Sequence, residues 1–356
     1  MHMADALLSP AVGGTMWAVS AATISCCSRK LRREMDDRKI PLMGVLGAFI
    51  FSAQMINFTI PVTGSSGHLG GGLILSILLG PHAAFLTIAS VLMVQALFFA
   101  DGGLLALGCN IFNLGFFPAF IAYPFIYKRI VGISPTPSRI SVASMAAAIV
   151  GLQLGAFGVV AETVLSGISS LPFSTFVVFM QPIHLAIGIV EGLVTASVIS
   201  FVYHAKPEIM QSAMEARLIG VHPIRTIVLG FLVVTFLTGG VLSWLASEHP
   251  DGLEWSITKV TGKEELKGLG QGGHATLAAL QEKLSFLPDY SFKKTAEAKT
   301  AEMSASPSAG QEQNIKGNRF DGGKLGTSVS GIVGGALTLG LSFLIGTILK
   351  RRERIT

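Results

Sequence analysis

Apolar residues run in long blocks separated by short polar stretches, at about 9–28, 41–60, 69–80, 83–100, 104–127, 140–165, 174–204, 226–246 and 327–349. A block of about 20 apolar residues is the length an α-helix needs to cross a hydrocarbon core. The pattern therefore predicts nine spans and an all-α polytopic membrane protein. The third block is too short for a full straight span, and charge placement, considered below, supports keeping it. The first block is not read as a signal peptide. Such a peptide carries positive charge before its apolar run, whereas here no Lys or Arg precedes Arg29.

Composition agrees with this pattern. Half of the 356 residues are apolar and 13% are charged, against about a quarter in soluble domains. The 41 glycines suit closely packed membrane helices. Three cysteines exclude a disulfide scaffold; Cys26, Cys27 and Cys109 are read as packing residues.

The net charge of +5 does not describe a nucleic-acid-binding face. Lys and Arg in residues 1–246 cluster at Arg29 to Lys39, Lys128 to Arg139, Lys206, and Arg217 to Arg225, and the chain ends with Lys350, Arg351, Arg352 and Arg354. If nine spans alternate with the N-terminus outside, every one of these clusters falls on one side, as the positive-inside rule requires. The segment 247–325 then lies outside, where ten basic residues meet eleven acidic ones. The expected placement is a multi-pass protein of the inner or plasma membrane, with an extracytoplasmic N-terminus and a cytoplasmic C-terminus.

Two parts follow. Residues 1–225 carry seven spans with short loops, and residues 226–356 carry two spans around the outer segment. Within that segment Ala275 to Leu284 reads as a short amphipathic helix. Lys293 to Gly323, rich in Ala, Ser, Lys, Glu and Gly, is expected to be mobile. Few buried contacts are expected to cross the linker near Arg225.

The most informative chemistry is at the start, Met1-His2-Met3-Ala4-Asp5. A free α-amine, the deprotonated amide nitrogen of residue 2 and Nδ1 of His2 can chelate one metal in adjoining five- and six-membered rings. Those donors fill three corners of a square plane, which suits Ni(II) or Cu(II) better than tetrahedral zinc. Alone, a His at position 2 is more often incidental. The fourth corner has a candidate in His68, within the glycine-rich run Gly64 to Gly72 on the same predicted face; the alternative is a re-entrant loop with a surface His.

Polar residues within spans are costly and usually functional. Gln54 and Asn57, taken as one helical turn apart below the loop, and Ser66 within it are candidates to orient the imidazoles. Interhelical hydrogen bonding is the competing role, and it is the favoured one for Glu162, His184 and Glu191. Gln95, Asp101, Asn110 and Asn113 border the fourth and fifth spans.

Absent motifs narrow the function. There is no G-x-x-x-x-G-K-[ST], no H-E-x-x-H and no dinucleotide fingerprint. P-loop ATP hydrolysis, membrane zinc proteolysis and a bound cofactor are therefore not expected. A membrane enzyme using His184 and Glu191 as an acid–base pair would lack a nucleophile. A membrane metal sensor would lack a cytoplasmic output domain.

Met1 to Leu7, Phe51 to Phe58, Ser66 to Gly72 and Gln95 to Gly103 together resemble the NikM/CbiM family, the substrate-binding membrane subunits (S components) of energy-coupling-factor nickel and cobalt importers. The resemblance covers essentially all of residues 1–225 and implies a seven-helix S-component bundle. It also implies a metal held by the Met1 amine, the amide and imidazole of His2, and His68. Residues 226–356 resemble a PDGLE domain, named for Pro250-Asp251-Gly252-Leu253-Glu254, which looks like a fused NikN/CbiN companion. The implied partners are ABC-type ATPases and a transmembrane coupling (T) subunit. The implied cargo is Ni(II), with Co(II) for cobalamin synthesis as the alternative.

Overall fold

The structure, a computed structural model, describes residues 2–32, 37–215, 217–218, 224–263, 266, 272–293 and 319–353. Met1, and residues 294–318 of the stretch expected to be mobile, lie outside the described residues.

The apolar blocks become helices. They are α1 (Pro10–Arg32), α2 (Lys39–Gln54), α3 (Gly72–Leu79), α4 (Pro81–Phe98), α5 (Leu107–Val131), α6 (Pro137–Ser166) and α7 (Phe173–Ala205), followed by the short α8 (Pro207–Glu215). The C-terminal part adds α9 (Arg225–Gly240), α10 (Gly252–Thr261), α11 (Gly273–Leu284) and α12 (Arg319–Glu353). Among the described residues, five helices are long and apolar enough to cross a membrane: α4, α5, α6, α7 and, within α12, Lys324–Lys350. The helices α2 and α9 are shorter apolar ones. Val178, Leu185, Ile189 and Leu193 leave an exposed apolar stripe on α7, the face a lipid tail would cover.

Two predicted spans are corrected. The second stops at Gln54, and residues expected to continue it form β1 (Phe58–Ile60), paired antiparallel with β2 (Ser65–Gly67). Asn57 therefore lies beyond the helix, not one turn from Gln54. The third block yields only the eight-residue α3, about 12 Å long and far short of a hydrocarbon core of about 30 Å. An extended segment precedes α3 inside the bundle. Gly70 already lies beside Leu114, Leu152 and Glu191, deep among α5, α6 and α7, and α3 continues until Gly80 comes near Ala213 of α8. Irregular backbone at such depth is tolerated where protein surrounds it, and every residue of α3 is buried.

Within α5, bonding is of the π type from Phe112 to Tyr127, and Pro118 and Pro124 lie in that stretch. Proline offers no N–H and crowds the carbonyl four residues back; the wider register eases that clash. The helices α6 and α7 pack along their lengths and are joined by Gln153 and Gln181, each donating its side-chain amide to the other's carbonyl at 2.9 and 3.3 Å.

The linker near Arg225 does not separate two independent bodies. Every residue of α2 except Pro41 is buried, because α4 packs on it from one part of the chain and α9 and α12 from the other. Gly44 and Gly47 face Leu339, Thr338 and Ser342 of α12, and a Cβ on Gly331 would overlap the Gly239 carbonyl of α9. Small residues allow this backbone approach between membrane helices. At the far end, Lys128 Nζ donates to the Met214 carbonyl, Tyr203 to that of Pro135, and Lys350 pairs with Asp37.

Candidate metal centre

The chain start is fastened through its backbone. Met3 N–H donates to Asn110 Oδ1 at 2.8 Å, and the Met3 carbonyl accepts from Asn110 Nδ2 at 3.2 Å and Gly103 N at 2.9 Å. Asp5 Oδ1 accepts from Ala106 N at 3.0 Å. This clamp places His2 beside the loop that follows α4, where its Nδ1 lies 2.9 Å from Asp101 Oδ1. Its buried Nε2 has no hydrogen-bond partner among the described residues.

His68 arrives from the β1–β2 hairpin. Its loop is drawn into the bundle by Glu191, whose carboxyl oxygens accept from Gly70 N at 2.8 Å and Gly71 N at 3.1 Å. Gly71 has φ 75°, and a Cβ there would approach Ile50 to 2.6 Å; only glycine meets both constraints. Gln54 Nε2 donates to the Gly70 carbonyl at 2.9 Å.

The two imidazoles meet. Their ring centroids are 4.9 Å apart with planes 7° from parallel, and each side chain is only 7% exposed. Stacked faces do not aim two lone pairs at one point, so shared coordination of an ion requires one ring to turn. His68 Nδ1 is 3.1 Å from the Leu69 carbonyl and its Nε2 is 4.0 Å from Asp251 Oδ2. Burial, aided by the neighbouring His2, pushes the His68 imidazole down to about 3. The ring is therefore neutral at pH 7, the form that ligates metal. Among the described residues, no three His, Cys, Asp or Glu side chains converge to hold an ion by themselves.

A polar chain connects the two arms. From His2 it runs to Asp101, whose Oδ2 accepts from Tyr290 at 2.5 Å. Gln95 Nε2 is 3.3 Å from that hydroxyl and donates to Gln54 Oε1 at 2.9 Å. Gln54 then reaches the His68 loop. Burial alone would raise the Asp101 carboxyl, but pairing with His2 and the Tyr290 hydroxyl hold it well below the usual carboxylate range.

The PDGLE run closes the site from the other part. Asp251 and Glu254 form a capping box at the start of α10: Asp251 Oδ1 accepts from Leu253 N and Glu254 N, and Glu254 Oε2 accepts from Asp251 N. This helix start docks on the His68 loop. Ser66 N–H donates to the Pro250 carbonyl at 2.8 Å, Ser66 Oγ to that of His249 at 2.8 Å, and Trp255 Nε1 to that of Thr63 at 2.9 Å.

Of the sequence-derived candidates, the structure brings His2 and His68 together. Gln54 and Ser66 touch the loop's backbone or its cover rather than an imidazole ring. Asn57 uses its carbonyl to accept from Ser247 N at 2.7 Å. His184 bonds within its own helix to Met180, and Glu162 accepts from Asn113 at 2.7 Å. Asp101 and Glu191 stood out only as polar residues in or beside spans, and their partners, 99 and about 120 positions away, follow no local spacing. The capping box was readable as Asp followed three residues later by Glu.

Comparison with known proteins follows the same division. The family described as cobalt uptake substrate-specific transmembrane region matches residues 2–209, and the PDGLE domain matches residues 225–351. A Haloquadratum walsbyi protein named for metal transport is 36% identical over 218 residues, 60% of this chain and 95% of that relative. An Archaeoglobus fulgidus protein named as a fused nickel transport protein, NikMN, is 34% identical over 211 residues, 59% of this chain and 68% of that one. A crystal structure of a truncated transition metal transporter superposes with a TM-score of 0.51 at 28% identity, covering 58% of this chain and 99% of that one.

Proposed function

The chain belongs to the cobalt uptake substrate-specific transmembrane region family and carries a PDGLE domain, and from that premise we propose that it is the substrate-binding subunit of an energy-coupling-factor importer for Ni(II). Co(II) is the alternative cargo. The observation that carries this reading is the meeting of His2 and His68, 4.9 Å apart, at the chain start. The Met1 amine, the amide and Nδ1 of His2, and one nitrogen of His68 make the square plane. Loading then requires His2 Nδ1 to leave Asp101, which keeps Tyr290 as its partner. ABC-type ATPases and a T subunit supply the energy, and positive-inside placement puts His2 on the outer side of the membrane.

Nickel binding to the purified full chain tests this. One residue added before Met1, or His2→Ala, removes chelate rings and abolishes tight binding. His68→Ala costs less, since water can take that corner. Bound Ni(II) is expected to be yellow and diamagnetic. Undiminished affinity in the extended protein, or a paramagnetic octahedral spectrum, overturns the ligand set. Metal content after growth in mixed trace metals decides between nickel and cobalt.

A further inference from the structure

The end of α11 and the residues after it are strapped across the end of α4 and the loop that follows. Gln281 Nε2 donates to the Ala96 carbonyl at 2.9 Å and to that of Gly102 at 2.7 Å. Leu287 N–H donates to the Phe98 carbonyl at 3.3 Å and Asp289 N–H to that of Phe99 at 2.9 Å. Ser285 and Leu287 are buried by this strap, but its other apolar side chains are not. Phe286 and Phe292 remain 43% and 52% exposed, and Leu280 and Leu284 are exposed one helical turn apart on one flank of α11. Helix residues two apart point about 200° away from each other, so Glu282 takes the opposite flank.

An exposed apolar face alone does not say what covers it; its level does. Phe292 lies against Gly326 of α12, where a Cβ would come within 3.5 Å of the ring's Cδ2 and 3.3 Å of the Phe292 nitrogen. Gly326 follows Leu325, which with Val329 and Ile332 makes an exposed apolar stripe in the part of α12 apolar enough to cross a membrane. The surface of Phe292 thus continues a face that lipid tails would cover. Trp244 marks the same level: its Nε1 donates to the Lys324 carbonyl at 3.1 Å and to Ser328 Oγ at 2.7 Å, and tryptophan collects where headgroups meet acyl chains. Charge agrees. Lys283 and Lys293 bracket the strap and are both exposed. Lys293 donates one N–H to the Glu282 carbonyl at 2.9 Å and keeps two more. A lysine stem can lie along acyl chains while its ammonium reaches phosphate.

We propose that Leu280, Leu284, Phe286 and Phe292 bed in the boundary between phospholipid headgroups and acyl chains, so that α11 and the strap form a membrane-surface anchor rather than a loop in water. An apolar flank with lysines beside it is the pattern that lies in such a boundary. The anchor needs only that the chain lies in a membrane, whatever metal it binds. Tyr290, whose hydroxyl donates to Asp101 at 2.5 Å, falls between Phe286 and Phe292 in the chain. Bilayer contact on both sides therefore holds that hydroxyl in place, together with Phe99, whose ring stacks on Tyr290 at 5.2 Å.

The test uses the full chain in vesicles of phosphatidylcholine and phosphatidylglycerol. Some of the phospholipid carries a photoreactive diazirine near the top of its acyl chain. Trypsin cuts after Lys283 and Lys293, so mass spectrometry can read lipid adducts on the peptide Leu284–Lys293 of the unaltered protein. Adducts are expected there, and Phe286→Ser with Phe292→Ser should lower their yield about fivefold, since such binding scales with buried apolar area. A nitroxide label gives a second reading. Cys26→Ser removes the exposed native thiol, and Phe292→Cys or Glu282→Cys supplies the labelling site. Molecular oxygen, which concentrates in acyl chains, should relax the label at 292 more than aqueous chromium oxalate does, with the order reversed at 282. An adduct-free peptide in the unaltered protein, or a label at 292 as open to chromium oxalate as the one at 282, overturns the anchor. A label at 292 shielded from both reagents lies under protein, a second copy included, and overturns it too.

Discussion

At the chain start the Met3 backbone is clamped to Asn110 and Gly103, with Asp5 adding a side-chain bond to Ala106, whereas the His68 loop is fastened by side chains reaching it from α2 and α7. Met3 exchanges two hydrogen bonds with one residue, Asn110. The loop depends on Glu191, Gln54 and the docked PDGLE run. A main-chain clamp at residue 3 fixes the backbone without gripping the His2 ring, which is held by its contacts to Asp101 and His68. The loop instead hangs from buried polar groups whose loss is expensive. In the proposed function, this difference gives the motion of loading to His2 and the fixed reference to His68.

Removing residues 225–356 breaks both arms at once and has the largest expected effect. It strips Pro250 and Trp255 from the loop, Tyr290 from Asp101, and α9 and α12 from α2. The melting temperature should fall by about 5 °C or more, the shift that about 4 kcal/mol produces in a chain of this size. A truncated protein that melts with the parent would show the two parts to be separable after all.

Glu191→Ala should come next and should touch one arm only. Two buried N–H groups lose their acceptor, at about 1–3 kcal/mol each, and nickel affinity should fall about 10–100-fold, as when a supporting residue of a metal site is lost. Glu191→Gln keeps an acceptor oxygen and should lose less. Equal affinity in the Ala variant and parent, by calorimetry, would remove the clasp from the site. Asn110→Ala, on the other arm, should cost about tenfold or less, because Gly103 still holds the Met3 carbonyl.

The smallest effect is pH dependence. His68 is lowered from 6.5 to about 3, so across that window the unfolded loop binds a proton that the folded loop refuses, and stability falls as pH falls. Glu254, raised by burial and then by Asp251 from 4.5 to about 6, opposes this over a narrower window, since there the folded form holds the extra proton. Asp101 and Asp251 lie below their ordinary 3.8 and add stability that acid removes. The melting temperature should therefore decline between pH 6.5 and 4, and more steeply with Glu254→Gln. A rise on acidification would contradict the burial of His68.

Helix positions were legible because twenty apolar residues have few other uses. The pairing of His2 with His68 was legible because both charge placement and chelate chemistry put them on one face. The shortness of α3 was half visible: the third block was too short for a full straight span, and the glycine-rich run before it gave the reason. The links from Asp101 to His2, Glu191 to Gly70, and the PDGLE run to Ser66 were not legible, since pairs so distant in sequence are set by packing rather than period. The expectation of few buried contacts across the linker near Arg225 failed on the same ground, since α9 and α12 pack on α2. A polar linker says nothing about whether Gly44 and Leu339 will touch.

The seat of α12 against α2 also sets a schedule. Residues 39–54 leave the ribosome long before residues 319–353, and at about 5–20 residues per second the interval is about 15–60 s. For that time Gly44 and Gly47 have no partner from the C-terminal part and face whatever the membrane offers. A chain that stopped before residue 319 would leave that groove uncovered, with two glycines where a helix should sit.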